Sequence, residues 1–266
     1  MRECLGIFRS MWLSETSYRL NLAFSLASLA AIIVPIYFVA QALQPVMATS
    51  IASQSHQYFA FALLGAVTFT LLSACAAALP NAVASAIGHG TLEAFLATPT
   101  SPAALLIGMG SYGVAWAAIR AAVLLLAGVA LGVAIDWRNA PAILLVLALL
   151  MLSYAAFGLL ASAMLLCFRT TGPLLNGLLS LSVLLGGVYY PTQVIPSWLQ
   201  QLSRALPLTY GLRALRQLAL LGQAPSATLT DIAILAAFTA ALLASGAVAV
   251  AAALHVARRA GTLSQY

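Results

Sequence analysis

Charge is scarce in this chain, and lysine is absent altogether. Only 6% of the 266 residues are charged, and all eleven basic residues are arginines. A chain without lysine has no P-loop of the form G-x-x-x-x-G-K-[ST], and it forms no lysine Schiff base. The sequence therefore predicts a protein that does not hydrolyse ATP by itself.

Clustered catalytic or metal-binding residues are lacking as well. The five acidic residues stand far apart, and the three histidines and three cysteines form no C-x-x-C or Cys/His group. Catalysis needs acid, base, nucleophile or metal groups that converge on one site. We therefore predict no catalytic residue, no metal site and no cofactor in this chain, and an enzyme is the least favoured class.

Apolar residues dominate what is present, at 63% of the chain. They form six long blocks separated by short polar breaks, and lipid accommodates such blocks where a soluble core does not. The sequence predicts an all-α polytopic membrane protein with six transmembrane helices. The predicted spans are residues 20–43, 58–79, 103–135, 142–168, 174–190 and 229–256.

The two ends of the chain are predicted to lie at the cytoplasmic surface. Residues 1–19 carry an apolar stripe of Leu5, Phe8, Met11 and Trp12 at helical spacing, which predicts an interfacial amphipathic helix. Residues 257–266 form the predicted cytoplasmic tail. With both termini inside, six arginines are cytoplasmic and four are outside, as the positive-inside rule favours. The basic residues flank apolar blocks, so we predict lipid contact and no nucleic-acid partner.

Two polar segments do not span the membrane in this interpretation. The first, residues 81–102, is predicted to contain a short helix with Thr91 as N-cap, Glu93 in its first turn and an apolar face suited to a partner's groove. The second, residues 191–226, is predicted to contain two short helices separated at Pro207. They form either a re-entrant hairpin or a loop lying flat in the interface.

Both segments resemble one family. The sequences GTLEAFLATPTSP and GGVYYPTQVIPSWLQQLSRALPLTYGLRALRQLALLG are similar to segments of type-2 ATP-binding-cassette (ABC) exporter permeases. The resemblance implies a permease in the cytoplasmic membrane of a prokaryote that dimerises, in our expectation as a homodimer. It also implies two copies of a cytoplasmic ABC ATPase, which bind the ATP and Mg²⁺. The implied ATPase-coupling contact is Gly90, Thr91, Leu92, Glu93 and Phe95, and the implied re-entrant gate is Pro196, Trp198, Pro207, Tyr210 and Arg213.

Three further residues are candidates for a substrate path. Tyr189 and Tyr190 adjoin the broken segment, and Arg120 lies inside the third predicted span. An intramembrane charge indicates function by default. Arg120 is predicted either to contact an anionic group, to pair with an acid such as Asp231, or to snorkel or stabilise a dimer.

The leading prediction is therefore the transmembrane subunit of an ATP-driven exporter for an amphipathic or lipophilic substrate, such as a drug, a lipid or a lipid-linked glycan. The alternative is an ion-coupled secondary transporter. Secondary transporters usually carry ionisable residues near the membrane midplane. None of the five acids falls in the middle of a predicted span, which disfavours proton coupling.

Overall fold

The computed structural model describes residues 19–88, 102–168 and 172–259. Within these ranges the chain forms helices joined by short turns. The α-helices are α1 (Arg19–Ile51), α2 (Tyr58–Gly88), α3 (Pro102–Ala130), α4 (Ala140–Phe168), α5 (Gly172–Leu185), α6 (Ser197–Ser203), α7 (Pro207–Ala219) and α8 (Leu229–Arg259). The 3-10 helices are Trp137–Asn139 and Pro225–Thr228.

Five helices in the described part of the chain are long and apolar enough to cross a membrane. They are α1, α2, α3, α4 and α8. The predicted fifth span is different, because α5 has only 14 residues and so measures about 21 Å at 1.5 Å per residue. That length is below the ~30 Å of a hydrocarbon core. The all-helical prediction holds for the described residues, whereas the count of six spans stays a prediction.

Helix boundaries differ from the sequence prediction at two of the prolines, Pro45 and Pro80. Helix α1 continues through Pro35 and Pro45 to Ile51, so the predicted loop 44–57 shrinks to residues 52–57. Helix α2 continues through Pro80 to Gly88, where the prediction ended the span at Pro80. A proline removes one helical hydrogen bond, and membrane helices tolerate this loss when neighbouring groups replace the bond.

The long helices pack around α2 and α4. Helix α2 contacts α1, α3 and α4, while α8 lies against α4. Val146, Leu150 and Tyr154, one helical turn apart on α4, are completely buried in this core. Helix α7 packs against α4 and α8, so the second short helix belongs to the bundle.

Four connecting segments meet at one end of the bundle, which we call the loop end: residues 52–57, 131–139, 186–206 and 220–228. Tyr58 Oη donates a hydrogen bond of 2.8 Å to the Tyr189 carbonyl. The Asp136 amide donates to the Ala219 carbonyl at 2.8 Å. Asn139 Nδ2 donates to the Gln223 carbonyl at 2.8 Å. The first bond joins the start of α2 to residues 186–206, and the other two join residues 131–139 to the end of α7 and to residues 220–228.

Several of the sequence predictions concern residues that the structure does not describe. The interfacial helix of residues 1–19, the short helix of the coupling loop and most of the tail 257–266 lie outside the described residues. Residues 81–88 of the predicted coupling loop are described, and they form the last two turns of α2.

Candidate functional site

The two short helices at the loop end are positioned by prolines. Pro196 precedes α6 with an extended backbone, and Pro207 occupies the first turn of α7. Proline suits both positions because the N–H groups of an N-cap and of a first turn have no partner within the helix. Between the helices, Ser203 Oγ and Thr209 Oγ1 lie 3.1 Å apart, and Thr209 Oγ1 donates to the Ser203 carbonyl at 2.7 Å. The predicted break at Pro207 is confirmed.

Helix α7 is strongly amphipathic and buries its apolar face. Leu208, Leu212, Leu215 and Leu218 are at most 2% exposed. They belong to the core cluster that also contains residues of α2 and α4. Burial of four leucines fixes the rotation of α7 about its axis, and this rotation places Arg216 inside the protein.

Helix α5 ends inside the protein, and this end would leave carbonyl groups without partners. A buried unpaired carbonyl costs about 1–3 kcal/mol, and in lipid water does not replace the lost bond. Five carbonyls in residues 184–189 accept hydrogen bonds from side chains instead. The pairs are Tyr190 to Leu184, Ser203 to Leu185, Arg216 to Gly187, Arg216 to Val188, and Tyr58 to Tyr189. We call residues 184–189 the capped break.

Arg216 is the centre of this arrangement. Its side chain is 1% exposed. Nη1 donates to the Gly187 carbonyl at 2.8 Å and to Gln54 Oε1 at 3.3 Å. Nη2 donates to the carbonyls of Val188 at 2.8 Å and Phe61 at 3.0 Å.

The charge of Arg216 is stabilised by groups that carry no net charge. The guanidinium carbon lies 3.4 Å from the centre of the Phe61 ring, whose negative face attracts a cation. The carbonyls of Gly187 and Val188 follow the C-terminus of α5, where the helix dipole is negative. Burial lowers the pKa of Arg216 to about 9, so the group remains a cation at neutral pH.

Helix α2 makes room for this cation at Gly65. A Cβ atom built on Gly65 would lie 2.1 Å from the Val188 carbonyl oxygen and 2.6 Å from Arg216 Nη2. A side chain at position 65 would displace either the carbonyl or the guanidinium. Gly65 therefore allows α2, α7 and the capped break to meet.

The predicted gate residues lie in α6 and α7 or next to them, and they differ in exposure and in the contacts that they make. Pro196 is exposed and Trp198 is 65% exposed, while Pro207 is buried. Tyr210 Oη donates to the Arg204 carbonyl at 3.0 Å, and its ring stacks on Phe238 of α8. Arg213 Nη1 lies 3.4 Å from Asp231 Oδ1. That the five act together as a gate stays a prediction.

The predicted substrate-path residues do not come together. Tyr189 and Tyr190 lie in and beside the capped break. Arg120 instead lines a cavity beside Thr70, and Thr70 is twelve residues, about 18 Å along α2, from Tyr58 at the loop end. The suggested pairing of Arg120 with Asp231 is wrong, because Asp231 forms its ion pair with Arg213 on α7.

Arg216, the most highly connected side chain of the site, is missing from the sequence-based candidates. The leucine pattern of α7 contains a signal for it, since Arg216 follows Leu212 by four residues and Leu208 by eight. Residues at this spacing share a helix face.

A comparison with protein families identifies the chain. The sequence model of the ABC-2 type transporter family matches residues 6–220. The chain belongs to the ABC-2 type transporter family. No curated protein matches the sequence.

The family match covers α1 to α7, and it includes both the capped break and Arg216. An ABC-2 type chain is the membrane permease component of an ABC transporter and not its ATPase, and the family implies an ATPase partner in general. The suspected family is thereby confirmed. In the described ranges, no group of three or more His, Cys, Asp or Glu side chains is placed to hold a metal ion.

Proposed function

We propose that this ABC-2 type chain is the permease subunit of an ATP-driven exporter in the cytoplasmic membrane of a prokaryote. Two copies of the chain form a homodimer with two copies of a separate cytoplasmic ATPase, and both termini face the cytoplasm. The cargo is amphipathic or lipophilic. The family match over residues 6–220 carries the proposal, and the absence of lysine supports it because the energy source must then be a different chain.

The continuity of α2 supports a route for coupling. This helix has 31 residues and a length of about 46 Å. Its first turns contact the hairpin of α6 and α7. The Phe61 carbonyl accepts a hydrogen bond from Arg216, and Gly65 allows the close approach of Arg216 and Val188. Its last turn leads directly into residues 89–101, which contain the proposed ATPase contact. A displacement of this contact would therefore act on one continuous helix whose opposite end is bonded to Arg216.

The hairpin of α6 and α7 is the proposed gate at the outer end of the path. Side chains of both short helices bond to the capped break, Ser203 to Leu185 and Arg216 to Gly187 and Val188, so the backbone at this depth keeps its hydrogen bonds. A rigid movement of α2 relative to α4 would shift α7, which packs between the core leucines of both helices. Opening then exposes Tyr189 and Tyr190 to the path.

The proposal is tested by reconstitution with a P-loop ATPase, which we expect the neighbouring reading frame to encode. The two subunits are co-purified and placed in inside-out vesicles, and uptake of a fluorescent amphiphile is followed after ATP is added. We expect uptake that requires ATP, with no uptake when the P-loop lysine of the ATPase is replaced. Uptake by the permease alone under an ion gradient would contradict the proposal and support a secondary transporter.

A further inference from the structure

A cavity of about 290 Å³ adjoins helix α7. Helices α2, α3, α4 and α7 contribute most of its lining, together with Ile135 and Trp137 of the loop end. The residues from α7 are Leu215 and Ala219, which are at most 3% exposed. A molecule bound in the cavity would therefore contact the helix that carries Arg216.

The cavity extends from the interior of the bundle to a surface that faces lipid. Val67 and Leu71 of α2 line its inner part and are at most 7% exposed. Ala118, Ala122 and Leu144 line it as well, and these residues of α3 and α4 are exposed. Both α3 and α4 are long and apolar enough to cross a membrane. The outer part of the cavity is therefore open to the bilayer, which gives a lipid-soluble ligand direct access.

The lining of the cavity is almost entirely apolar. Apart from Thr68 and Trp137, the described residues that line it carry aliphatic side chains or, at Met151, a thioether. An unpaired charge is strongly disfavoured in such surroundings. An apolar protein cavity of about 150 Å³ stays dry and binds benzene. A cavity of about 290 Å³ therefore has room for an uncharged ligand of one or two rings.

Thr68 is the exception in this lining. Several hydroxyls of the described helices donate to the carbonyl four residues earlier, namely those of Thr70, Ser153, Ser162, Ser182 and Thr239. Thr68 is 3% exposed, but its hydroxyl has no hydrogen-bond partner among the described residues. The hydroxyl oxygen is not sealed by neighbouring atoms, and Thr68 lines this cavity. The hydroxyl is therefore available to a group inside the cavity.

We propose that this cavity binds an uncharged lipophile whose hydroxyl or carbonyl group forms a hydrogen bond with Thr68. The threonine hydroxyl both donates and accepts, so it pairs with either group. An acyl chain of the bilayer would fill the same space but leave the Thr68 hydroxyl unpaired, and an unpaired buried polar group is costly. The inference goes beyond the proposed function because it assigns a ligand site, and it holds whether or not the ligand is exported.

The site is tested by photolabelling of the full chain in phosphatidylcholine nanodiscs. The probe is a trifluoromethyl-phenyldiazirine that carries a hydroxymethyl group, and its methyl analogue lacks the hydroxyl. Labelled residues are located by peptide mass spectrometry at increasing mole fraction of each probe in the bilayer, so that unequal partitioning of the two probes cancels.

Labelling of Ala118, Ala122 and Leu144 should saturate. We expect half-saturation by the alcohol at a roughly fivefold lower mole fraction than by the methyl analogue, which is the effect of one neutral hydrogen bond. Phe38 of α1, which is 66% exposed, reports labelling from the lipid phase and should show no saturation.

Two matched substitutions on α2 isolate the hydroxyl. Thr68→Val should raise the mole fraction of alcohol at half-saturation roughly fivefold, to the value for the methyl analogue. Thr70→Val is the control, because the Thr70 hydroxyl is bonded to the Ala66 carbonyl and Thr70 does not line this cavity. It should leave half-saturation by the alcohol unchanged. Labelling by the methyl analogue should be the same in all three proteins if the variants are folded.

Three results would overturn the inference. Labelling of the cavity residues that rises in parallel with that of Phe38 would assign the cavity to acyl chains of the bilayer. Absence of labelling at Ala118 and Ala122 would show that another surface, such as a second copy of this chain, covers the opening. Equal half-saturation by the two probes, or by the alcohol with and without Thr68→Val, would exclude the bond to Thr68. The measurement needs neither the ATPase nor ATP, so a failure of ATP-driven transport would leave its result unaffected.

Discussion

The carbonyl oxygen of Val188 occupies the space that a side chain on Gly65 would fill. A Cβ atom at position 65 would lie only 2.1 Å from this oxygen. The oxygen also accepts a hydrogen bond from Arg216 Nη2. One glycine on α2 therefore permits both the close approach of the capped break and its bond to α7.

Gly65→Ala should destabilise the protein although alanine is the better helix former. The added methyl group must displace backbone or the guanidinium, and overpacking of this kind costs about 1–3 kcal/mol. Thermal unfolding of the purified protein in nanodiscs measures the loss. Gly177→Ala on α5 is the control, because a Cβ atom there meets nothing within 4 Å. Equal stability of the two variants would show that α2 does not approach Val188 so closely.

Arg216→Gln should cost more stability than any other single arginine substitution among residues 204–216. The shorter amide cannot reach all four acceptors, and each orphaned buried carbonyl costs about 1–3 kcal/mol. Arg216→Lys should restore only part of the loss, since an ammonium lacks the planar fork that serves two pairs of acceptors.

The control for this substitution is Arg204→Gln, whose side chain is exposed. Surface substitutions usually change stability by less than about 0.5 kcal/mol. Unfolding midpoints in nanodiscs compare the three variants. If Arg216→Gln melted together with Arg204→Gln, the capped break would not depend on the guanidinium.

The sequence predicts the parts of the hairpin that local chemistry determines. Pro196 and Pro207 mark the starts of α6 and α7, and the leucine spacing of α7 predicts its buried face. The bond between Arg216 and Phe61 joins residues 155 positions apart, and no local pattern encodes such a pair. The capped break was therefore not predictable, although the placement of Arg216 on the leucine side was.

The sequence predicts helix lengths less well where a proline lies inside a membrane helix. Pro80 ends the predicted second span, yet α2 continues to Gly88. Val83, beyond the proline, is 3% exposed and packs with residues of α4 and α8. This tertiary packing outweighs the one hydrogen bond that Pro80 removes.

Arg213 and Asp231 should show only weak coupling. The two side chains are 38% and 14% exposed and lie 3.4 Å apart, and ion pairs with such exposure contribute less than about 1 kcal/mol. A double-mutant cycle with Arg213→Gln and Asp231→Asn, read by thermal unfolding, measures the coupling energy. The same cycle with Arg120→Gln in place of Arg213→Gln should give no coupling, because Asp231 faces α7. Strong coupling to Arg120 would reinstate the discarded pairing.

The last prediction concerns Glu93, which we expect to contact the ATPase at the cytoplasmic face of the permease. Glu93→Gln removes a carboxylate from a contact that must transmit force in both directions. We therefore expect ATP hydrolysis to continue while ATP-dependent uptake falls at least about tenfold. A tenfold loss corresponds to ~1.4 kcal/mol. Asp136→Asn is the comparison, since it removes a carboxylate at the loop end near Gly222 and should leave the ratio of transport to hydrolysis unchanged. The ratio is measured in the same vesicles for both variants. A normal ratio in Glu93→Gln would place the coupling contact elsewhere, because a carboxylate at that contact cannot be lost without weakening the link between α2 and the ATPase.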